Sequence, residues 1–454
     1  MKYYYSGEWH HATMASIGVN PAGFVVPQGS EIVSPDGMGF FIQKAVKGAG
    51  TVTFASAKFV WDYGADGLTD ANVQSSSTTF KLFGIEMVYI PTGSFYVGSG
   101  GTETGSFTDG SWVSGATIPL SIISEAALTV AQTAGNLWYT ASGNSGDQAG
   151  PIPAAFPKGY NAFYLMKYEI SQGQYRDFLN TLTYDQQETR TAEAPSSAPG
   201  TGAFSAMNVL RSGLDIKTAG TDNTVPAVYG CNLDADANYD ETVDGQGIAC
   251  NYLSWADVAA YLDWAALRPM TELEFEKACR GPLVPVANEY AWGNATRADA
   301  AYTLANSGAA NENTSANYKT DGKGNCLYVT TENDFSGPCR VGMFAGHASN
   351  TGRVTAGAGY YGIMELSGNL IEAAISVGNT TGRAFAGTHG NGALDNTGNA
   401  DATNWPGIDA VGAGMRGGAW SLGTFMESSN RGAGVLGTVN RASSSGGRGA
   451  RTAP

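Results

Sequence analysis

"YYGIMELSGNLIEA", residues Tyr360 to Ala373, is mostly apolar, yet Gly368-Asn369 interrupts it and two glutamates, Glu365 and Glu372, stand seven residues apart. A Gly-Asn pair marks a turn, because both residues tolerate the left-handed backbone that other side chains avoid. Two carboxylates beside such a turn have two readings. They are solvent-facing residues flanking it, or they are held there for a role that the turn alone does not name.

The rest of the chain sets limits on both readings. Its 454 residues exceed one ordinary core, so two domains or one large elaborated domain is expected. With 43% hydrophobic residues, 22 Tyr, 18 Phe and 9 Trp, it has ample material to fold as a globule. Only 14% of residues are charged, 62 are Gly, and Asn, Ser, Thr and Ala fill long stretches. That composition describes a loop-rich, β-leaning protein of the secreted or virion type. A formal charge of −15 and the lack of any basic run exclude a nucleic-acid partner. Acidity fits a solvated surface and divalent cations. No apolar run approaches the ~20 residues that a membrane span needs. The opening "MKYYYSGEWHHATM" lacks the plan of a signal peptide and reads like the inside of a strand, as though the chain started partway into a longer precursor.

Residues 1–84 alternate apolar and polar positions in short runs such as "GFVVPQGSEIV" and "GTVTFASAKFVWDYG". This predicts a small all-β, sandwich-like module. A second unit spans 85–454, and its Gly-, Ser- and Thr-rich stretch 99–153 reads as a surface excursion. Helices are predicted in "YEISQGQYRDFLNTL" and "SWADVAAYLDWAALRP" from their one-sided apolar spacing. A third is predicted in "MTELEFEKACRG", where Thr271 and Glu274 form a capping box and Gly281-Pro282 ends the helix. Short strands are implied near "CLYVTT" and "RGGAWSL", and no internal repeat recurs at a fixed period. The class is α+β, with few helices and long ordered loops.

"MVYIPTGSFYVGS", "FYLMKYEISQGQYRDFLN", "SWADVAAYLDWAALRPMTELEFEKACRG", "EYAWGN", "YGIMELSGNLIEA" and "RGGAW" follow one another in this order. The series resembles the formylglycine-generating enzyme (sulfatase-modifying factor) family, whose domain is a variant of the C-type lectin fold. The resemblance covers about residues 84–454, with insertions around 99–153, 185–250 and 300–340. It implies a calcium ion at the opening stretch, with Glu365 and Glu372 as side-chain ligands and Gly368 and Leu370 as carbonyl ligands. Ile371 and Ala373 stand where the family usually has Trp. A second implied calcium site maps loosely to Asn317, Tyr318 and the Asn333-Asp334-Phe335 stretch.

A third cation candidate is independent of the family. "CNLDADANYDETVDGQGIAC" places Asn232, Asp234, Asp236, Asn238, Asp240 and Asp244 on one short loop, as calcium-binding loops do. The register departs from an EF-hand: counted from Asp234, position 6 is Tyr239 and position 12 is Gly245. A solvated acidic loop is the alternative. Of the five cysteines, Cys279 falls in a helix and reads as a buried thiol. Cys231 with Cys250 and Cys326 with Cys339 are spaced 19 and 13 residues apart, as loop-stapling disulfides worth roughly 3 kcal/mol each, or as four free thiols. No CxxC spacing points to zinc.

The family's oxidase chemistry depends on two cysteines that hold copper shortly after an "RGGSW"-like motif. From Arg416 to Pro454 this chain has no cysteine, and Leu422 and Glu427 occupy about those positions. A related branch holds non-haem iron through three histidines. Here the four histidines, His10, His11, His347 and His389, show no HxxxH spacing, and no G-x-S-x-G elbow precedes a helix. A non-catalytic protein follows. Relatives of this branch serve as binding scaffolds, which implies a ligand surface at Trp420, Phe425, Met426, Asn430 and Asn440; the alternative is that Trp420, Phe425 and Met426 fill the core beneath a loop. The expected role is a calcium-stabilised extracellular, cell-surface or virion component that binds a protein or glycan or assembles with itself. The alternatives are a phage or cell-surface receptor-binding module, and an oxidoreductase with an unrecognised site.

Overall fold

The architecture is that of a computed structural model, which describes residues 1–16, 23–34, 36–46, 48, 51–113, 116–204, 209–299, 302–316, 319–329 and 335–454. Its four longest helices start where the chain spells a capping box. Ser171, Thr183, Ser254 and Thr271 each accept a hydrogen bond from the backbone N–H three residues on, and the side chain there bonds back. The helices that follow are Gln172–Leu179, Tyr184–Arg190, Trp255–Trp264 and Glu272–Arg280. Three of them match expectation, and Gly281 caps the last with a positive φ of 66°. Tyr184–Arg190 was not anticipated, although Thr183 and Gln186 carried its signal.

Two sheets position the site. The first is antiparallel, in the order Arg268–Pro269, Gly449–Thr452, Phe163–Met166, Met87–Ile90. In the second, Ile371–Ile375 lies between Ala413–Arg416, to which it is antiparallel, and Ser445–Gly446, to which it is parallel. All five residues of this central strand are buried. A strand covered on both faces reads as a continuous apolar run, so "LIEAAI" showed no alternation. The C-terminal segment runs from the second sheet into the first, and this sets Arg448 beneath the opening stretch.

Residues 99–153 do not form a surface excursion. Strand Leu120–Ile122 pairs with Phe95–Val97, and Phe107, Leu137, Tyr139 and Ile152 are 0% exposed within the largest core cluster. The abundant glycine reflects close approach: a Cβ at Gly110 would sit 2.3 Å from the Thr133 carbonyl oxygen. Residues Cys326–Val329 of "CLYVTT" are not in a strand, and the strand near "RGGAWSL" ends at Arg416 itself. The N-terminal residues form a three-stranded antiparallel sheet, Glu8–His11, Lys2–Tyr5, Thr79–Lys81, and a separate hairpin, Ser30–Val33 with Phe41–Lys44. Tyr3, Ala12, Met14 and Leu68 give this part its own small core. Phe41 stacks on Tyr164 of the larger unit at 4.1 Å.

Candidate functional site

Glu365 and Glu372 sit on opposite sides of the turn they flank. Glu365 and Asn369 are left-handed (φ 56° and 64°), as is Gly368 (φ 92°). Any Cβ at Gly368 would meet the Leu327 carbonyl oxygen at 2.5 Å, so the turn admits glycine alone. Glu372 is fully buried, and both of its oxygens accept hydrogen bonds from Arg448, Nε at 2.6 Å and Nη2 at 2.7 Å. Glu365 accepts one bond, from the Gly342 N–H at 2.9 Å, and its Oε2 has no partner.

A third carboxylate, Glu169, completes the cluster. It accepts from the Leu370 N–H at 2.9 Å and from the Asn369 side-chain amide. Sequence reading missed it because it lies 200 residues from Asn369, in "MKYEI", where nothing separates it from a solvated glutamate. Burial raises the pKa of all three, Glu365 to about 7 and Glu169 well above the usual range, the latter helped by the charges of Glu372 and Glu365.

This geometry does not fit the implied calcium at Glu365, Gly368, Leu370 and Glu372. A calcium shell needs six or more oxygens. Here the guanidinium of Arg448 holds Glu372, Glu169 is spent on amide N–H groups, and of the six oxygens of the three carboxylates only Glu365 Oε2 is without a partner. That oxygen belongs to a residue lining a small enclosed cavity with Cys326, Cys339 and Asn369. Arg448 supplies the positive charge a cation would bring. For the second implied site, Asn317, Tyr318, Asn333 and Asp334 lie outside the described residues. Phe335 is a core residue with the Arg211 guanidinium 5.4 Å above its ring.

The "RGGAW" motif is built on a buried charge network. Glu272, Glu276 and Arg280 share one face of their helix, four residues apart. Arg416 reaches both glutamates at 3.2 Å, and Arg431 clasps Glu272 with Nε and Nη2 at 2.7 and 2.8 Å. Arg431 is packed between the rings of Phe107 and Tyr139, 4.0 and 4.3 Å from its guanidinium carbon. After the motif, Trp420 donates from Nε1 to the Ser443 carbonyl at 3.0 Å. At the two positions where the family's thiols would fall, Leu422 and Glu427 are half-buried, and Glu427 accepts from the Asn430 amide at 3.1 Å.

Of the expected ligand residues, Asn440 is exposed, while Trp420, Phe425 and Asn430 are half-buried. Met426 is not at the surface. It is 0% exposed and packs over Gly418, where a Cβ would meet it at 2.4 Å. All five cysteines are buried and free, so neither Cys231 with Cys250 nor Cys326 with Cys339 is bonded. Burial pushes the Cys231, Cys279 and Cys326 thiols up to about 12, and those of Cys250 and Cys339 higher than usual too. They behave as small core residues, not as reactive thiolates.

The acidic loop divides. Asp240 is held by Arg176 at 2.7 Å and Lys217 at 3.5 Å, Asn232 donates to Asp215 at 3.1 Å, and Asn238 donates to Glu241 at 3.1 Å. Asp234, Asp236 and Glu241 each bring a carboxylate oxygen within 4.8 Å of the others. Glu241 was not among the six expected ligands on this loop.

Among the described residues, no helix is long and apolar enough to cross a membrane. The family described as "Sulfatase-modifying factor enzyme 1-like domain" matches residues 75–443. A formylglycine-generating enzyme of Bos taurus is 30% identical over 135 residues, 30% of this chain and 34% of that enzyme, so the match spans about a third of its length. Among solved structures, PvdO from Pseudomonas aeruginosa aligns over 83% of this chain and 100% of its own, at 16% identity and a TM-score of 0.38. The fold is that of an α+β, formylglycine-generating-enzyme-like protein, and the chain belongs to the sulfatase-modifying factor enzyme 1-like domain family.

Proposed function

We propose that this chain is a non-catalytic, calcium-stabilised extracellular binding protein that keeps the family scaffold and presents a ligand surface around Trp420. One observation carries the reading: nothing after Arg416 can act as a copper thiolate. Leu422 and Glu427 stand where the thiols would be, and Leu422 offers no ligand atom. A carboxylate in place of a thiolate is a hard donor that does not select copper(I). The neighbouring charges are committed as well, since Arg416, Arg431, Glu272 and Glu276 neutralise one another within the core.

The surface left over has Trp420 and Phe425 half-buried and Asn440 exposed. Rigid aromatic groups beside amides suit recognition of a protein or a glycan. Titration of the full chain with copper(I) against a thiol chelator tests the reading. No tight binding is expected. One equivalent of copper retained by the native protein, and lost on changing Glu427→Ala, would restore the oxidoreductase alternative.

A further inference from the structure

We infer that the loop 232–244 is a binding site for one divalent cation, with Asp234, Asp236, Glu241 and Asp244 as its ligands and calcium as the cation they suit. The inference rests on the proposed calcium stabilisation and gives that ion a place away from the turn at Glu365 and Glu372.

The first argument is distance. Oxygens on opposite sides of a calcium ion, each about 2.3–2.6 Å from it, lie roughly 4.6–5.2 Å apart. The carboxylate oxygens of Asp234, Asp236 and Glu241 already fall within 4.8 Å of one another, so one ion can touch all three without moving the backbone. Magnesium is usually held by one or two carboxylates and keeps its waters, whereas calcium accepts several carboxylates with irregular geometry.

The second argument is Asp244. Its Oδ2 accepts the Glu241 N–H at 2.6 Å, tying it to a candidate ligand, while its Oδ1 has no partner although the residue is 0% exposed. An orphaned buried acceptor costs about 1–3 kcal/mol, more when charged. The side chain faces the cluster, its carboxyl lying within hydrogen-bonding distance of that of Asp234. Among the described residues, no lysine or arginine pairs with any of the four carboxylates. The adjacent cations, Arg176 and Lys217, are both directed at Asp240. The loop thus sorts its acids into one that anchors it to the helix Gln172–Leu179 and four that repel one another until a cation arrives.

The site also braces its surroundings. Gly245 donates to the Gly308 carbonyl at 3.0 Å, and Gly308 packs so closely beneath Val243 that a Cβ there would meet its carbonyl oxygen at 2.0 Å. Asp240, Glu241 and Thr242 also line the wall of a cleft of about 500 Å³ together with Tyr168 and Arg340. An ion fixing Glu241 fixes that wall.

The test uses the full chain freed of metal, titrated with calcium alone by calorimetry and with terbium by luminescence, for which Tyr239 in the same loop is the sensitiser. One ion should bind with a dissociation constant of about 10⁻⁴–10⁻³ M or tighter, the range of extracellular calcium modules. The exposed pair Asp236→Asn/Glu241→Gln should weaken it at least tenfold with an unchanged circular dichroism spectrum. Asp244→Asn should raise the melting temperature without calcium and shrink the rise that calcium produces. No uptake, or uptake indifferent to Asp236→Asn/Glu241→Gln, overturns the site. Uptake abolished instead by Glu365→Gln would overturn it while leaving calcium stabilisation of the protein standing.

Discussion

Arg448 donates in parallel from Nε and Nη2 to the two oxygens of Glu372, at 2.6 and 2.7 Å, with both side chains fully buried. The fork of a guanidinium matches a carboxylate in a way that an ammonium does not. The remaining donors of Arg448 reach the carbonyls of Met364 at 2.8 Å and of Met166 and Lys167 at 3.2 Å, so one side chain ties together three distant segments. Arg448→Met should therefore cost about 3–5 kcal/mol, because it strands a buried charge. Arg448→Lys should recover only part of the loss, and Arg448→Met with Glu372→Gln more of it. Urea denaturation checks all three, and a loss under 1 kcal/mol for Arg448→Met would refute the role.

Glu365 gives the protein a pH signature. Its native pKa is raised from 4.5 to about 7, with burial as the main cause. Between those values the folded chain holds a proton that the unfolded chain releases, so stability falls as pH rises. The contribution is whole below pH 4.5 and is lost through about pH 7. Glu365→Gln, which stays neutral, should make the stability–pH curve shallower in that window, leaving the slope that Glu169 and Glu372 contribute. Equal slopes for the two proteins would contradict the assignment.

The five cysteines provide a direct count. Each is buried and free, so a thiol reagent should find five in denaturant and react negligibly with the native chain. A count of one in denaturant would instead mean that both loop disulfides form.

Gly368 is the most constrained point of the opening stretch. Gly368→Ala meets a positive φ of 92° and a carbonyl oxygen 2.5 Å away. The change should destabilise by more than about 1 kcal/mol, measured as a lowered denaturation midpoint.

The helix starts were legible because a capping box is a local device: Thr271 and Glu274 meet whatever surrounds them. The turn at Gly368-Asn369 was legible for the same reason. What decides the fate of its carboxylates is not local. Glu372 finds Arg448 76 residues away, and Glu169 finds Asn369 at 200. Spacing along the chain registers neither contact. Residues 99–153 were misread because close packing through glycine and loop composition look alike; only the path of the chain shows Phe107 and Tyr139 closing over Arg431. Met426 looked like a surface anchor because it stands with Phe425 amid Gly and Ser, yet Gly418 leaves the space it fills. On the acidic loop the alternation of carboxylates was plain. Arg176, contributed by another element, removes Asp240 from the set.

The central claim is that the scaffold persists here without the family's thiol-based oxidation. Oxygen uptake by the purified chain, supplied with copper(I) and a cysteine-containing peptide, tests it most directly. The account predicts a rate equal to that of copper and peptide alone. Sustained uptake with oxidation of the peptide cysteine, dependent on the folded protein, would contradict it.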